Sequence, residues 1–350
     1  MYKPLLPVET LQGLMKLGIH LALTFTVITS TTFFCAQTPS EQDDVVRIDT
    51  DLTNLVFTAV DKERRFVTTL REEDIRVLED GVQQQLFTFQ RETDRPLALA
   101  LLIDVSGSEE RTLPQEKGAA RSFIETIMRS SKDQAAIIPF TGSAFLEQEL
   151  TRDVLRIFRA LERVEVAMPS YLGHGKPIGG IVSGPGMKAT PHEGSTAIWD
   201  AVAVTANEVL ANSEGQRRRA IILLTDGQDT SSRLPRREAI DRVLAAETVI
   251  YAIGIGDSRH GGVNRDELRT VAERTGGRAF FPRKEADLKT AFAEIERELR
   301  TQYLIAFSST NKRRDGSFRR LRLEITNPEL EKEKLKLRYR PGYFSKKEGS

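Results

Sequence analysis

Leu97-Ala98-Leu99-Ala100-Leu101-Leu102-Ile103-Asp104-Val105-Ser106-Gly107-Ser108 is the stretch on which the rest of the chain hangs. Seven consecutive apolar residues, 97–103, stop abruptly at Asp104. A short unbroken apolar run fits a strand buried on both faces, as in a parallel sheet covered by helices on either side. The loop that follows then carries one carboxylate and two hydroxyls within five residues.

Outward from this strand the periods alternate. Residues 115–129 place Ala119, Ala120, Phe123, Ile124 and Ile127 at helical spacing, and 134–140 read as a strand. Helices are predicted over 154–161, 197–211, 236–246, 265–274 and 285–299, with strands over 220–225, 249–255 and 279–281. Strands alternating with helices predict an α/β fold, a doubly wound and mainly parallel sheet, over residues 96–300. Residues 45–95 and 301–345 are instead β-like. Residues 75–79 alternate into Asp80-Gly81, a hairpin signal, and 55–60, 85–90, 303–307, 318–325 and 334–339 read as further strands. The economical arrangement is one small β module formed by the N- and C-terminal segments, with the α/β domain inserted between them.

The bulk composition narrows the function. The 350 residues include 51 basic and 50 acidic side chains, so no overall charge draws the chain to nucleic acid. The single cysteine, Cys35, and the scattered His20, His174, His192 and His260 offer no disulfide framework and no zinc-ligand spacing. Lys3 and Lys16 precede an uncharged run over 17–36, so residues 1–37 read as a signal peptide or a membrane anchor. Phe33 and Phe34 stand where a cleavage site prefers small residues, and both readings stay open. Either one predicts an exported protein, periplasmic, envelope-associated or secreted, with membrane attachment only through that segment. Residues 166–194 hold seven glycines and four prolines without a period, a long loop expected to overhang Thr196.

Three segments carry the chemistry. Asp104-x-Ser106-x-Ser108 ends one apolar strand, Gly194-Ser195-Thr196 opens a helix, and Thr225-Asp226-Gly227 ends a second apolar strand. Ligands of open α/β sheets bind beyond the carboxyl ends of the strands, where all three should meet. Asp104, Ser106, Ser108, Thr196 and Asp226 supply two carboxylates and three hydroxyls, without nitrogen or sulfur. That inventory suits Mg²⁺, with Mn²⁺ or Ca²⁺ as alternatives, and leaves a coordination position for a visiting acid. Ser195 reads as the cap of the following helix, Asp229 as a solvated loop carboxylate, and Trp199 as core. Arg319, Arg320 and Arg322 read as the solvated face of an alternating strand.

The three segments resemble the metal-ion-dependent adhesion site of von Willebrand factor type A domains, each of the five residues matching one motif position. The resemblance implies hydroxyls that bind the ion directly, carboxylates that often bind through water, and a protein ligand supplying an acidic side chain. Together with Val77-Leu78-Glu79-Asp80-Gly81 and Arg338-Tyr339-Arg340-Pro341-Gly342-Tyr343-Phe344, the chain also resembles exported bacterial proteins, frequent in acidobacteria, described as von Willebrand factor A-related. The expectation is a non-enzymatic binding protein with no small-molecule cofactor. The alternatives are a structural or assembly module of the envelope stabilised by its metal and, more remotely, a metal-dependent hydrolase, for which only His192 or Glu193 could serve as base.

Overall fold

Alternate side chains of the apolar strand go to opposite faces of one sheet, and each face is covered. The computed structural model describes residues 52–91, 95–166, 175–178, 195–215, 217–256 and 262–347. The N-terminal segment 1–37 and all of the 166–194 loop except 166 and 175–178 lie outside the described residues.

The N-terminal segment contributes β1 (Leu52–Val60), β2 (Ile75–Glu79), β3 (Val82–Gln83) and β4 (Leu86–Arg91). The α/β part follows as β5 (Leu97–Asp104), α1 (Leu113–Ile127), β6 (Gln134–Phe140), β7 (Ala144–Leu146), β8 (Gln148–Thr151), α2 (Val154–Arg163) and β9 (Lys176–Ile178). It continues with α3 (Ile198–Val204), β10 (Arg218–Thr225), α4 (Arg236–Ala245), β11 (Thr248–Gly254), α5 (Arg265–Thr275), β12 (Ala279–Phe280) and α6 (Glu285–Arg300). The chain ends in β13 (Tyr303–Ser308), β14 (Phe318–Ile325), α7 (Pro328–Lys332), β15 (Lys336–Tyr339) and β16 (Gly342–Phe344).

The eight-stranded sheet runs β12-β11-β10-β5-β6-β7-β9, with β8 also on β6. The five strands from β12 to β6 are parallel, and β7, β8 and β9 add a short antiparallel edge. All eight residues of β5 are buried. Leu97, Leu99, Leu101 and Ile103 pack under α1, α2 and α6 with Phe123, Ile157 and Phe292. Ala98, Ala100 and Leu102 pack under α3, α4 and α5 with Trp199, Ile240 and Val271. Burial on both faces is what a doubly wound sheet requires of its central strand.

Two local readings change. Residues 197–211 do not form one α-helix: α3 gives way at Thr205–Leu210 to a π-helical turn, which keeps Ala206, Val209 and Leu210 in the core. The strands β7, β8 and β9 are too short to print a period on the sequence.

The β module interleaves both ends of the chain. One four-stranded antiparallel sheet has the order β15-β1-β13-β4 and the other β16-β14-β2-β3, and they share a core that includes Leu55, Phe57, Val77, Tyr303, Ile305 and Leu323. Asp80 and Gly81 turn the β2–β3 hairpin with φ of 48° and 88°, the paired left-handed conformations of a type I′ turn. Arg319 is not on a solvated face. The alternation of β14 points it inward with Leu321 and Leu323, and its guanidinium meets the Glu79 carboxylate at 3.3 Å with both side chains buried.

Candidate metal site

Three loops at the carboxyl edge of the parallel sheet converge. The first leaves β5 at Asp104, which is wholly buried. Its Oδ1 accepts from the Ser106 amide at 3.0 Å, an Asx-type turn that folds the loop back over the strand end. Ser106 Oγ then lies 3.1 Å from Ser108 Oγ. A single short helical turn, Gly107–Glu109, places Glu109 inside the protein while Glu110 stays outside.

The second loop leaves β10, the parallel neighbour of β5. Thr225 Oγ1 donates to Asp104 Oδ2 at 2.6 Å, tying the two strand ends together. Asp226 Oδ1 accepts from the Gln228 amide at 2.9 Å, and its carbonyl accepts from the Asn264 amide at 2.7 Å. The turn depends on Gly227, whose φ of 80° is left-handed and whose added Cβ would sit 3.0 Å from Leu268 Cγ. Gly256, two residues beyond β11, is as close: a Cβ there would lie 2.8 Å from Asp226 Cβ.

The third loop brings Thr196. Thr141, just beyond β6, donates its hydroxyl to the Ser195 carbonyl at 2.7 Å and accepts from the Ala197 amide at 2.8 Å. The Thr196 amide donates to Thr230 Oγ1 at 2.8 Å, and the Thr196 carbonyl accepts from the amides of Thr230 and Ser231 at 2.9 and 3.1 Å. Thr196 is therefore stapled to the segment that follows Asp226. Ser195 does not cap α3. Asp229 Oδ1 accepts from the Ile198 amide at 2.8 Å, and Ser232 Oγ accepts from the Trp199 amide at 2.9 Å, so the orphan donors of this helix are met from the Asp226 loop. Asp229 is a positioning residue for the Thr196 segment rather than a solvated acid. Trp199 is buried in the core, as expected.

The sequence reading overlooked Glu109. Asp104, Glu109 and Asp226 offer carboxylate oxygens that all lie within 4.8 Å of one another, and all three residues are buried. Burial pushes the Asp104 carboxyl up to about 6, against the hydrogen bonds from Thr225 and Ser106. Burial first and the neighbouring Glu116 second push Glu109 well above the usual carboxylate range. Glu116, also buried, is raised by burial and by the charge of Asp104. Carboxylates packed this closely away from water must hold protons or a cation. Glu109 Oε2 accepts from Thr112 Oγ1 at 2.7 Å, whereas Oε1 is buried without a hydrogen-bond partner. An all-oxygen set whose acids hold protons when no cation is present fits a hard divalent ion that would displace those protons.

The von Willebrand factor type A domain family matches residues 187–294. No curated protein sequence matches the chain. Among solved structures, proximal thread matrix protein 1 from the mussel byssus is similar at 19% identity and a TM-score of 0.47, over 63% of this chain and 51% of that one. The chain thus spans about half the length of the mussel protein. A von Willebrand factor type A protein from Catenulispora acidiphila matches at 16% identity and a TM-score of 0.47, over 75% of this chain and 72% of that one. An aerotolerance-related membrane protein from Bacteroides fragilis NCTC 9343 matches at 17% identity and a TM-score of 0.43, over 58% of this chain and 98% of that one.

Proposed function

We propose, from the match of residues 187–294 to the von Willebrand factor type A domain family and from the site described above, that the chain is an exported binding protein that captures a partner's carboxylate through a divalent cation. The ion would be held by Asp104, Ser106, Ser108, Thr196 and Asp226, with Mg²⁺ the first candidate and Mn²⁺ or Ca²⁺ next. The observation that carries this reading is the meeting of two strand-end acids, Asp104 and Asp226, with the Ser106–Ser108 hydroxyl pair at one sheet edge. Bound there, a hard cation supplies the positive charge that an incoming acid recognises. The chain supplies rigid placement: Thr225 fixes Asp104, Gly227 fixes the Asp226 turn, and Thr230 holds Thr196.

Export rests on the basic start and the uncharged run over 17–36. Among the described residues no helix is long and apolar enough to cross a membrane. We read the site as one for binding rather than catalysis because its hydroxyls and carboxylates are the donors of a hard-cation site open to a further acid.

Capture of envelope proteins on the immobilised full-length chain, with Mg²⁺ and again in chelator, tests this reading. Asp104→Ala should remove capture as completely as chelator does, with its far-ultraviolet circular dichroism unchanged. Undiminished capture in chelator removes the proposal.

A further inference from the structure

We propose that Glu109 is itself a ligand of the cation, filling from within the position that a partner's acid would take; this rests on the cation-dependent reading above. Glu109 follows Ser108 directly, and its amide donates to the Ser106 carbonyl at 3.0 Å, which turns the side chain inward. The residue is fully shielded from water. One carboxylate oxygen accepts from Thr112, and the other, Oε1, is buried without a hydrogen bond of normal geometry, with the Glu116 carboxyl as its acidic neighbour. Ionising a carboxyl so buried is costly, and a cation beside it would relieve that cost.

The spacing agrees. Opposite ligands of a Mg²⁺, Mn²⁺ or Ca²⁺ ion lie roughly 4–5 Å apart. The oxygens offered by Asp104, Glu109 and Asp226 fall within 4.8 Å of one another and so fit around a single ion. Glu116 is the rival account of Glu109: its carboxyl bears on Glu109 and it also has a buried oxygen without a donor. Glu116 does not belong to the three-acid set, which is what sets Glu109 apart.

Three carboxylates exceed the charge of a divalent ion by one. A further acid from a partner would meet an excess of negative charge, which release of Glu109 removes. Glu109 acts as an internal competitor that sets the affinity threshold for a partner carboxylate.

Titration of the full-length chain with Mn²⁺ alone, read by electron paramagnetic resonance and water-proton relaxation, separates the alternatives. Glu109→Gln should weaken Mn²⁺ at least about 10-fold, as loss of a metal-shell contact does, and add one exchangeable water to the bound ion. Glu109→Asp, which keeps the charge but shortens the reach, should weaken it in the same direction and serves if the glutamine variant folds poorly. Glu116→Gln should leave Mn²⁺ affinity within about three-fold, less than half the energy of a 10-fold change. Equal losses in Glu109→Gln and Glu116→Gln would reduce Glu109 to background charge and overturn the proposal. Wild-type affinity and hydration in Glu109→Gln, with binding abolished in Asp104→Asn, would overturn it while sparing the site. Mn²⁺ binding that is absent from the wild type, or unchanged in Asp104→Asn, would take down the site and the proposal together.

Discussion

The Thr225 hydroxyl and the Asp104 carboxylate meet at 2.6 Å across two parallel strands, wholly inside the protein. This bond ties the first and second loops of the site together. It favours the charged form of Asp104 against the burial that disfavours it. Thr225→Val keeps the shape and removes the donor. The expected outcome is a loss of about 1–3 kcal/mol in unfolding free energy, the usual cost of an abandoned buried acceptor, together with weaker Mg²⁺ binding. Denaturant titration and calorimetric Mg²⁺ titration check the two halves.

Metal-free protein should lose stability as pH rises. The Asp104 carboxyl is held at about 6 in the folded chain, above its ordinary value of 3.8. The folded state thus keeps a proton that the unfolded chain has released, so stability is full below the unfolded value and falls as pH climbs through about 6. Asp104 alone would account for about 3 kcal/mol over that window, and the upward shifts of Glu109 and Glu116 act in the same direction. Melting temperatures in chelator, taken between pH 4 and pH 8, should decline. A flat profile would show that these carboxyls are not buried away from water when no ion is bound.

Saturating divalent ion should reverse that decline. An ion that binds only the folded state adds about 2.7 kcal/mol at a hundred times its dissociation constant. The gain should vanish in Asp226→Asn. A large gain with no dependence on any partner would favour an ion that serves the architecture alone.

Gly256 is predicted to be a spacing residue for the site. A methyl group there would press on Asp226 Cβ at 2.8 Å, so Gly256→Ala must move the carboxylate or the end of β11. Overpacking of this kind costs about 1–3 kcal/mol. The ion affinity should fall with it, whereas Gly107→Ala, which meets nothing within 4 Å, should leave stability unchanged.

The β module has its own sensitive point. Glu79 accepts from Ser309 at 2.6 Å and from Tyr343 at 2.9 Å while facing Arg319, all with little exposure. Arg319→Met strands a buried carboxylate and should cost about 3–5 kcal/mol. Replacing Glu79 and Arg319 together by apolar residues should recover most of the loss, measurable by urea unfolding.

The alternation of helix and strand and the double-faced apolar runs were written in the sequence because periodicity follows burial directly. The strand ends at Asp104 and Asp226 were legible for the same reason. Glu109 was not. It stands beside Glu110, and which of two adjacent acids turns inward depends on one short helical turn, not on a period. Glu116 was the visible clue, an acid on the same helical stripe as Ala119, Ala120 and Phe123. The Ser195 cap misled because the groups that satisfy α3 come from Asp229 and Ser232, more than thirty residues away, and no local rule finds them. Arg319 misled because a basic run was read as one surface, although the strand period sends Arg319 inward and Arg320 and Arg322 outward.

The interleaving of the two chain ends governs how the protein bears load. β1 is zipped lengthwise to β13 through six registered pairs and to β15 through four. A pull on Leu52 along the axis of β1 strains these rungs in shear, all together, instead of peeling them singly. β5 follows β4, on the opposite flank of β13. Tension entering at β1 therefore passes through the paired strands of the β module before it reaches β5 and Asp104.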